Sequence, residues 1–303
     1  MPALAVSGLS ELLGGRVRPA LEAAGIDALV NVTVDGAARR DRAPSALATV
    51  DSTRRLLAAA SAARVSALVH VSTAAVYGAW PDNPVPITEQ APLRPNPGLT
   101  EAVAHAEAER LVADWAADHP DARVVVLRPV AVLAPGTQDW LGLPVRVGDS
   151  DPPRQFLHMD DLVSAVGLAA TAPLRGPFNV TPDGWIAGDV VRDLSSGRPP
   201  LPLPRRLAVT AVTFAWKTRL SNASPRLLPL VRHPWVVAND RLRAAGWEPR
   251  YSNEEALVAG RRPSFWREMS PARRQQVSLG VAGAVLAGLV GGGAAVVVRL
   301  RRS

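Results

Sequence analysis

His70-Val71-Ser72-Thr73-Ala74-Ala75-Val76-Tyr77-Gly78 decides the fold. It completes the apolar run Ala67–Val71 and then breaks into a polar turn, the pattern of a strand leading into a loop. The same alternation extends outward on both sides. Upstream, residues 3–6 are a short apolar run closed by Ser7-Gly8, and 12–24 read as a helix ending at Gly25. Residues 28–34 have a buried-strand pattern. Residues 45–64 are amphipathic, with Leu47, Val50, Leu56 and Leu57 at helical spacing. Downstream, 101–118 read as a helix stopped before Pro120, and 123–127 as a β-branched strand. Strands alternating with helices predict parallel βαβ units and an α/β fold.

From Pro135 the texture changes to Gly, Pro and short segments. Residues 160–171 read as a helix and 178–180 as a strand. Pro199, Pro200, Pro202 and Pro204 interrupt the chain, and 205–232, apolar and basic by turns, take no clear assignment.

Composition narrows the chemistry. The chain has 303 residues, 48% hydrophobic and 20% charged, which supports a sizeable core. There are no cysteines, so disulfides, thiolate metal sites and a cysteine nucleophile are excluded. The histidines, His70, His105, His119, His158 and His233, show no metal-ligand spacing. Tyr77 and Tyr251 are the two tyrosines, and Lys217 is the single lysine. The net charge of +7 sits at one end: residues 261–303 carry eight arginines against Glu268, and the rest of the chain balances to zero. A nucleic-acid binder carries its basic patch on the fold, so no nucleic-acid partner is expected.

Further segments join the opening one in order. These are Leu127-Arg128-Pro129 with the Pro135-Gly136 break, Phe156-Leu157-His158-Met159-Asp160-Asp161-Leu162, Phe178-Asn179-Val180, Asp240-Arg241-Leu242 and Gly246-Trp247-Glu248-Pro249. The series resembles the extended short-chain dehydrogenase/reductase superfamily, in its NAD-dependent epimerase/dehydratase branch, over about residues 1–257. The resemblance implies a Rossmann sheet that binds NAD(P). It also implies a smaller C-terminal region for a small-molecule substrate, often a nucleotide sugar or a sterol-like alcohol. Catalysis in the family uses a Ser/Thr, a Tyr and a Lys. The resemblance thus assigns residues 1–134 to a Rossmann-like domain and 135–262 to a substrate-type region. His158, Asp160 and Asp161 are expected to organise a turn.

Carried over position by position, the pattern is incomplete. The phosphate loop aligns as Gly8-Leu9-Ser10-Glu11-Leu12-Leu13-Gly14. Gly8 and Gly14 match, and Glu11 replaces the middle glycine that lets the backbone approach a pyrophosphate. Residues 27–33 resemble the family's fourth strand and follow the first helix almost directly, so two strands are missing, with the acid that grips the adenosine ribose. The Tyr-x-x-x-Lys-x-x-x-Glu helix becomes Glu101, His105 and Glu109. Thr73 matches the catalytic Ser/Thr, and Ser72 beside it joins Gly8 and Gly14 as an expected cofactor contact. Glu101 and His105, at i and i+4, read either as a helix-surface pair or as a substitute acid/base pair beside Thr73. Thr73, Glu101 and His105 are therefore the catalytic candidates. Two function classes stand: a non-catalytic descendant that binds a ligand or partner, and an active oxidoreductase or epimerase with an unusual pocket.

The tail carries a separate expectation. Residues 277–298 are uncharged and apolar, long enough to span a bilayer, behind a basic linker at 263–276 and before a basic tail at 299–303. One transmembrane helix, lipid as a partner, and an N-terminal domain in the cytoplasm follow. Gly280, Ala284, Gly288 and Gly292 form a small-residue stripe that admits a homodimer.

Overall fold

The computed structural model describes residues 6–7, 29–32, 46–133, 145–147, 151–195, 201–203, 205–218 and 224–260. The chain divides into two compact units, Met1–Arg261 and Arg262–Ser303, and the second lies outside the described residues.

The described strands are β1 (Val6–Ser7), β2 (Leu29–Val32), β3 (Ala67–Val71), β4 (Arg123–Pro129), β5 (Ala131–Leu133), β6 (Val145–Val147), β7 (Phe156–His158), β8 (Gly176–Val180) and β9 (Leu201–Leu203). The helices are α1 (Ala46–Ala63), α2 (Thr100–Asp118), α3 (Met159–Thr171), α4 (Gly188–Ser195), α5 (Arg205–Lys217), α6 (Leu228–Arg232), α7 (Asp240–Ala244) and α8 (Asn253–Ala259). Among the described residues the main sheet has five strands, in the order β1-β2-β3-β4-β8. Every pairing in it is parallel, with Val69 opposite Val30 and Val125, and Leu127 opposite Phe178. Two parallel pairs, β5 with β7 and β6 with β9, stand apart from it.

The apolar runs of β3 and β4 are continuous because both faces of these strands are covered. Alternate residues divide between two cores. Ala67, Val69, Val71, Val125 and Leu127 join a core with Leu162, Ala165 and Val166 of α3 and Trp235, Leu242 and Trp247 of the C-terminal segments. Leu68, Val124 and Val126 join the other core with Leu56, Leu57 and Ala60 of α1 and Val112 and Trp115 of α2. A third cluster packs Leu133, Phe156, Ile186 and Val191 against Ala256 and Leu257 of α8.

Among the described residues β1 is the terminal strand and pairs directly with β2. Residues 201–203 form β9 beside β6, and the described part of the unassigned stretch 205–232 includes the helix α5 and α6, the latter packed through Leu230 into the first core.

One expectation is corrected. No helix among the described residues is long and apolar enough to cross a membrane, so a single-pass membrane protein is not what the structure supports. The segment 277–298 on which that reading rested, with Gly280, Ala284, Gly288 and Gly292, lies outside the described residues. So do Gly8, Glu11 and Gly14 of the phosphate loop.

Candidate functional site

The carboxyl ends of β3, β4 and β8 meet a polar layer beneath α2. Period-2 alternation puts Leu68 and His70 of β3, and then Ser72, on the α2 side, and on β4 it puts Val124, Val126 and Arg128 there. Helical spacing turns His105, Ala108, Glu109, Val112 and Trp115 of α2 inward to meet them. Both His70 and His105 are buried, at 0% and 3% exposure. Burial pushes the His105 pKa down to about 4. Burial, and then the nearby His105, push that of His70 to about 3. Both imidazoles are neutral at pH 7.

Glu109 and Arg128 anchor the layer. Arg128 donates from Nη2 and Nε to Glu109 Oε2 at 2.6 and 3.0 Å, and from Nε to Oε1 at 3.2 Å. Ser72 Oγ donates to Glu109 Oε1 at 2.5 Å. Arg128 Nη1 donates to the Tyr77 hydroxyl at 2.7 Å, which donates in turn to Asn179 Oδ1 at 2.9 Å. Asn179 is held from behind: its Nδ2 donates to the Ile87 carbonyl at 3.2 Å, and its backbone N–H to Glu89 Oε1 at 2.9 Å. Burial works to lower the Arg128 pKa, and the Glu109 carboxylate more than offsets it, so the net shift is upward. Burial also raises the Tyr77 pKa.

Glu109, rather than the exposed Glu107, is the buried partner of Arg128. Glu101 and His105, expected at the tyrosine and lysine positions, lie two turns and one turn earlier on α2. Neither of the two readings of that pair describes it fully. Glu101 is half-buried in the first turn, bonded by Thr100 Oγ1 at 3.3 Å, whereas His105 points inward. Thr73 is half-buried and caps the short 3-10 turn Ala74–Tyr77, its Oγ1 accepting from Ala75 N at 3.2 Å. Ser72 is buried, with its hydroxyl committed to Glu109. The structure therefore joins Ser72 and His105 to the polar layer and leaves Thr73 and Glu101 at its margin. Sequence reasoning quoted Tyr77, Glu109, Arg128 and Asn179 as motif letters without joining them. The available signal was that each is a polar residue at the end of an apolar strand or on the apolar stripe of a helix.

His158, Asp160 and Asp161 do organise a junction. His158 Nδ1 accepts from Asp160 N at 3.2 Å and caps α3, and its ring stacks on Tyr251 at 3.9 Å. Asp161 accepts from the backbone N–H groups of Arg250 and Tyr251 at 2.9 and 3.2 Å. Among the described residues no group of three or more His, Cys, Asp or Glu side chains could hold a metal ion.

A parallel sheet with α1 and α2 on one face, α3 on the other, and a Glu–Arg-anchored helix beside the Ser72-Thr73 turn defines a Rossmann-like α/β fold of the short-chain dehydrogenase type. The sequence profile of the NAD dependent epimerase/dehydratase family matches residues 13–181, and the chain belongs to that family. Over 238 residues it is 32% identical to the 3-diazoavenalumate denitrifying reductase of a Streptomyces species, covering 70% of this chain and 72% of that protein. It spans about half the length of the other curated relatives it matches. Among solved structures, RMD from Pseudomonas aeruginosa complexed with NADPH has a TM-score of 0.61 and 21% identity, over 84% of this chain and 95% of that one. The Thermus thermophilus UDP-glucose 4-epimerase complex with NAD has a TM-score of 0.57 and 19% identity, over 86% and 97%. These neighbours are NAD(P) complexes, and NAD(P) is the cofactor that family and fold imply.

The residues present do not fit that cofactor in the family's manner. His105, expected at the lysine position, is buried and neutral at pH 7. Tyr77 is locked between Arg128 and Asn179, and Tyr251 stacks on His158. Lys217 is exposed near the end of α5.

Proposed function

We propose that this chain is a member of the NAD-dependent epimerase/dehydratase family without tyrosine–lysine hydride chemistry, serving as a non-catalytic protein that binds a small-molecule ligand or a partner. The observation that carries this reading is His105. A ribose-holding lysine must reach out of α2 as a cation, and the imidazole in its place is turned into the protein and uncharged at pH 7. The terminal position of β1 among the described strands supports it, since the family's ribose-gripping acid sits on a strand that would lie beyond that edge. Calorimetric titration of the full-length chain with NAD⁺, NADH, NADP⁺ and NADPH tests it. No binding in the micromolar range is expected, and micromolar affinity for any of the four overturns it.

The likeness to a reductase favours a second reading, an active oxidoreductase or epimerase. Its substrate would be a nucleotide sugar, a sterol-like alcohol or, following that relative, a diazo compound. Tight dinucleotide binding together with turnover would establish it: NADPH oxidation by a diazo compound, NAD(P)⁺ reduction by an alcohol, or epimerised product from a nucleotide sugar.

A further inference from the structure

At the amino end of the sheet, opposite the polar layer, Ser61 of α1, Trp115 of α2 and His119 just after α2 close a ring of hydrogen bonds. The Trp115 indole Nε1 donates to Ser61 Oγ at 2.8 Å. Ser61 Oγ lies 3.1 Å from His119 Nε2, and His119 Nδ1 lies 2.9 Å from the Trp115 carbonyl. In the neutral imidazole, the form that can act as a base, the partners fix the direction of each bond. An indole nitrogen only donates and a carbonyl only accepts. His119 Nδ1 therefore carries the ring proton, Nε2 is a bare acceptor, and the single Ser61 hydroxyl proton points at it. The His119 ring also stacks on Trp115, with centroids 4.2 Å apart and planes 15° apart, which holds the imidazole plane. Ser61 and His119 are both half-buried, so solvent reaches the pair.

A hydroxyl in hydrogen-bond reach of an imidazole base, itself oriented by a third group, is the arrangement of an activated nucleophile. Here the orienting group is a backbone carbonyl. One Ser61 lone pair takes the indole proton and the other is left for attack.

We propose that Ser61 is a nucleophile with His119 as its general base, accepting acyl groups from activated carboxylic esters at a site separate from the Rossmann crevice. Ser61 Oγ adds to the ester carbonyl carbon as its proton passes to His119 Nε2. The tetrahedral adduct expels the alcohol or phenol, which takes that proton, leaving acyl-Ser61. Water activated by His119 then releases the carboxylic acid and regenerates the hydroxyl.

The test treats the full-length protein with p-nitrophenyl acetate, follows p-nitrophenol release, and maps the acetyl group by peptide mass spectrometry. The expected result is acetylation at Ser61 ahead of every other serine and threonine, lost in Ser61→Ala. His119→Gln, which can still hydrogen-bond the hydroxyl, should slow it about a hundredfold, within the range of a general base. No acetylation, modification spread over other hydroxyls, or a rate unchanged in His119→Gln overturns the proposal. Mapping on the unmodified sequence keeps the test decisive if either variant fails to fold.

Discussion

Glu109 of α2 holds Arg128 of β4 through three hydrogen bonds, with 5% and 7% of the two side chains exposed. Removing one member of a buried pair strands the other charge, at a cost of roughly 3–5 kcal/mol. Glu109→Ala should therefore lower stability by about that amount in urea denaturation. Glu107→Ala, which removes an exposed pairing with Arg110, should leave the denaturation curve where it was.

Acid should weaken the fold before its carboxylates titrate. His70 and His105 have folded pKa values of about 3 and about 4, against 6.5 for the free group. Below pH 6.5 the unfolded chain binds protons that the folded chain does not, so stability falls with pH from 6.5 toward 4. Linkage puts the loss on the order of 2 kcal/mol per histidine at pH 5. Urea midpoints at pH 7 and pH 5 measure it, and the difference should shrink in His105→Gln.

The pair at the family's catalytic positions should separate on mutation. Glu101→Ala, at the half-buried start of α2, should change stability by less than about 0.5 kcal/mol. His105→Ala opens a hole in the polar layer and should cost about 1–3 kcal/mol. Equal melting temperatures for the two variants would contradict the inward placement of His105.

Gly78 should tolerate no side chain. Its φ of +70° is one that other residues rarely adopt, and a Cβ there would run into the Arg94 carbonyl and the Trp80 indole nitrogen. Gly78→Ala should destabilise by more than about 1 kcal/mol, the cost of the left-handed backbone alone. Gly98→Ala, with nothing within 4 Å of the added carbon, should be silent in the same thermal melts.

The sheet was legible because β3 and β4 are buried on both faces, leaving long apolar runs, and α1 and α2 keep a 3.6-residue period. The region 205–232 was not, because its helices are short or carry Arg205, Arg206 and Lys217 among apolar residues, and a fold-level contact decides each one. His105 illustrates the limit at the site. Spacing alone places it on the face of Glu101, but α2 is gripped at Glu109, and that grip turns position 105 toward β3. The ring at Ser61 was equally hidden, since it joins the ends of two helices separated by a strand and a long loop.

The segment over the carboxyl ends of the sheet has a consequence for the order of synthesis. Ile87 donates to the Val236 carbonyl at 2.8 Å and accepts from Ala238 N at 2.8 Å, and Asn83 Nδ2 donates to the Pro234 carbonyl at 2.9 Å. Its partners are thus translated about 150 residues later, at roughly 5–20 residues per second. For some ten seconds or more the nascent chain exposes Ile87 and its neighbours without the strand-like seam that will bury them. During that interval Ile87 lacks the backbone partners that hold it in the finished fold.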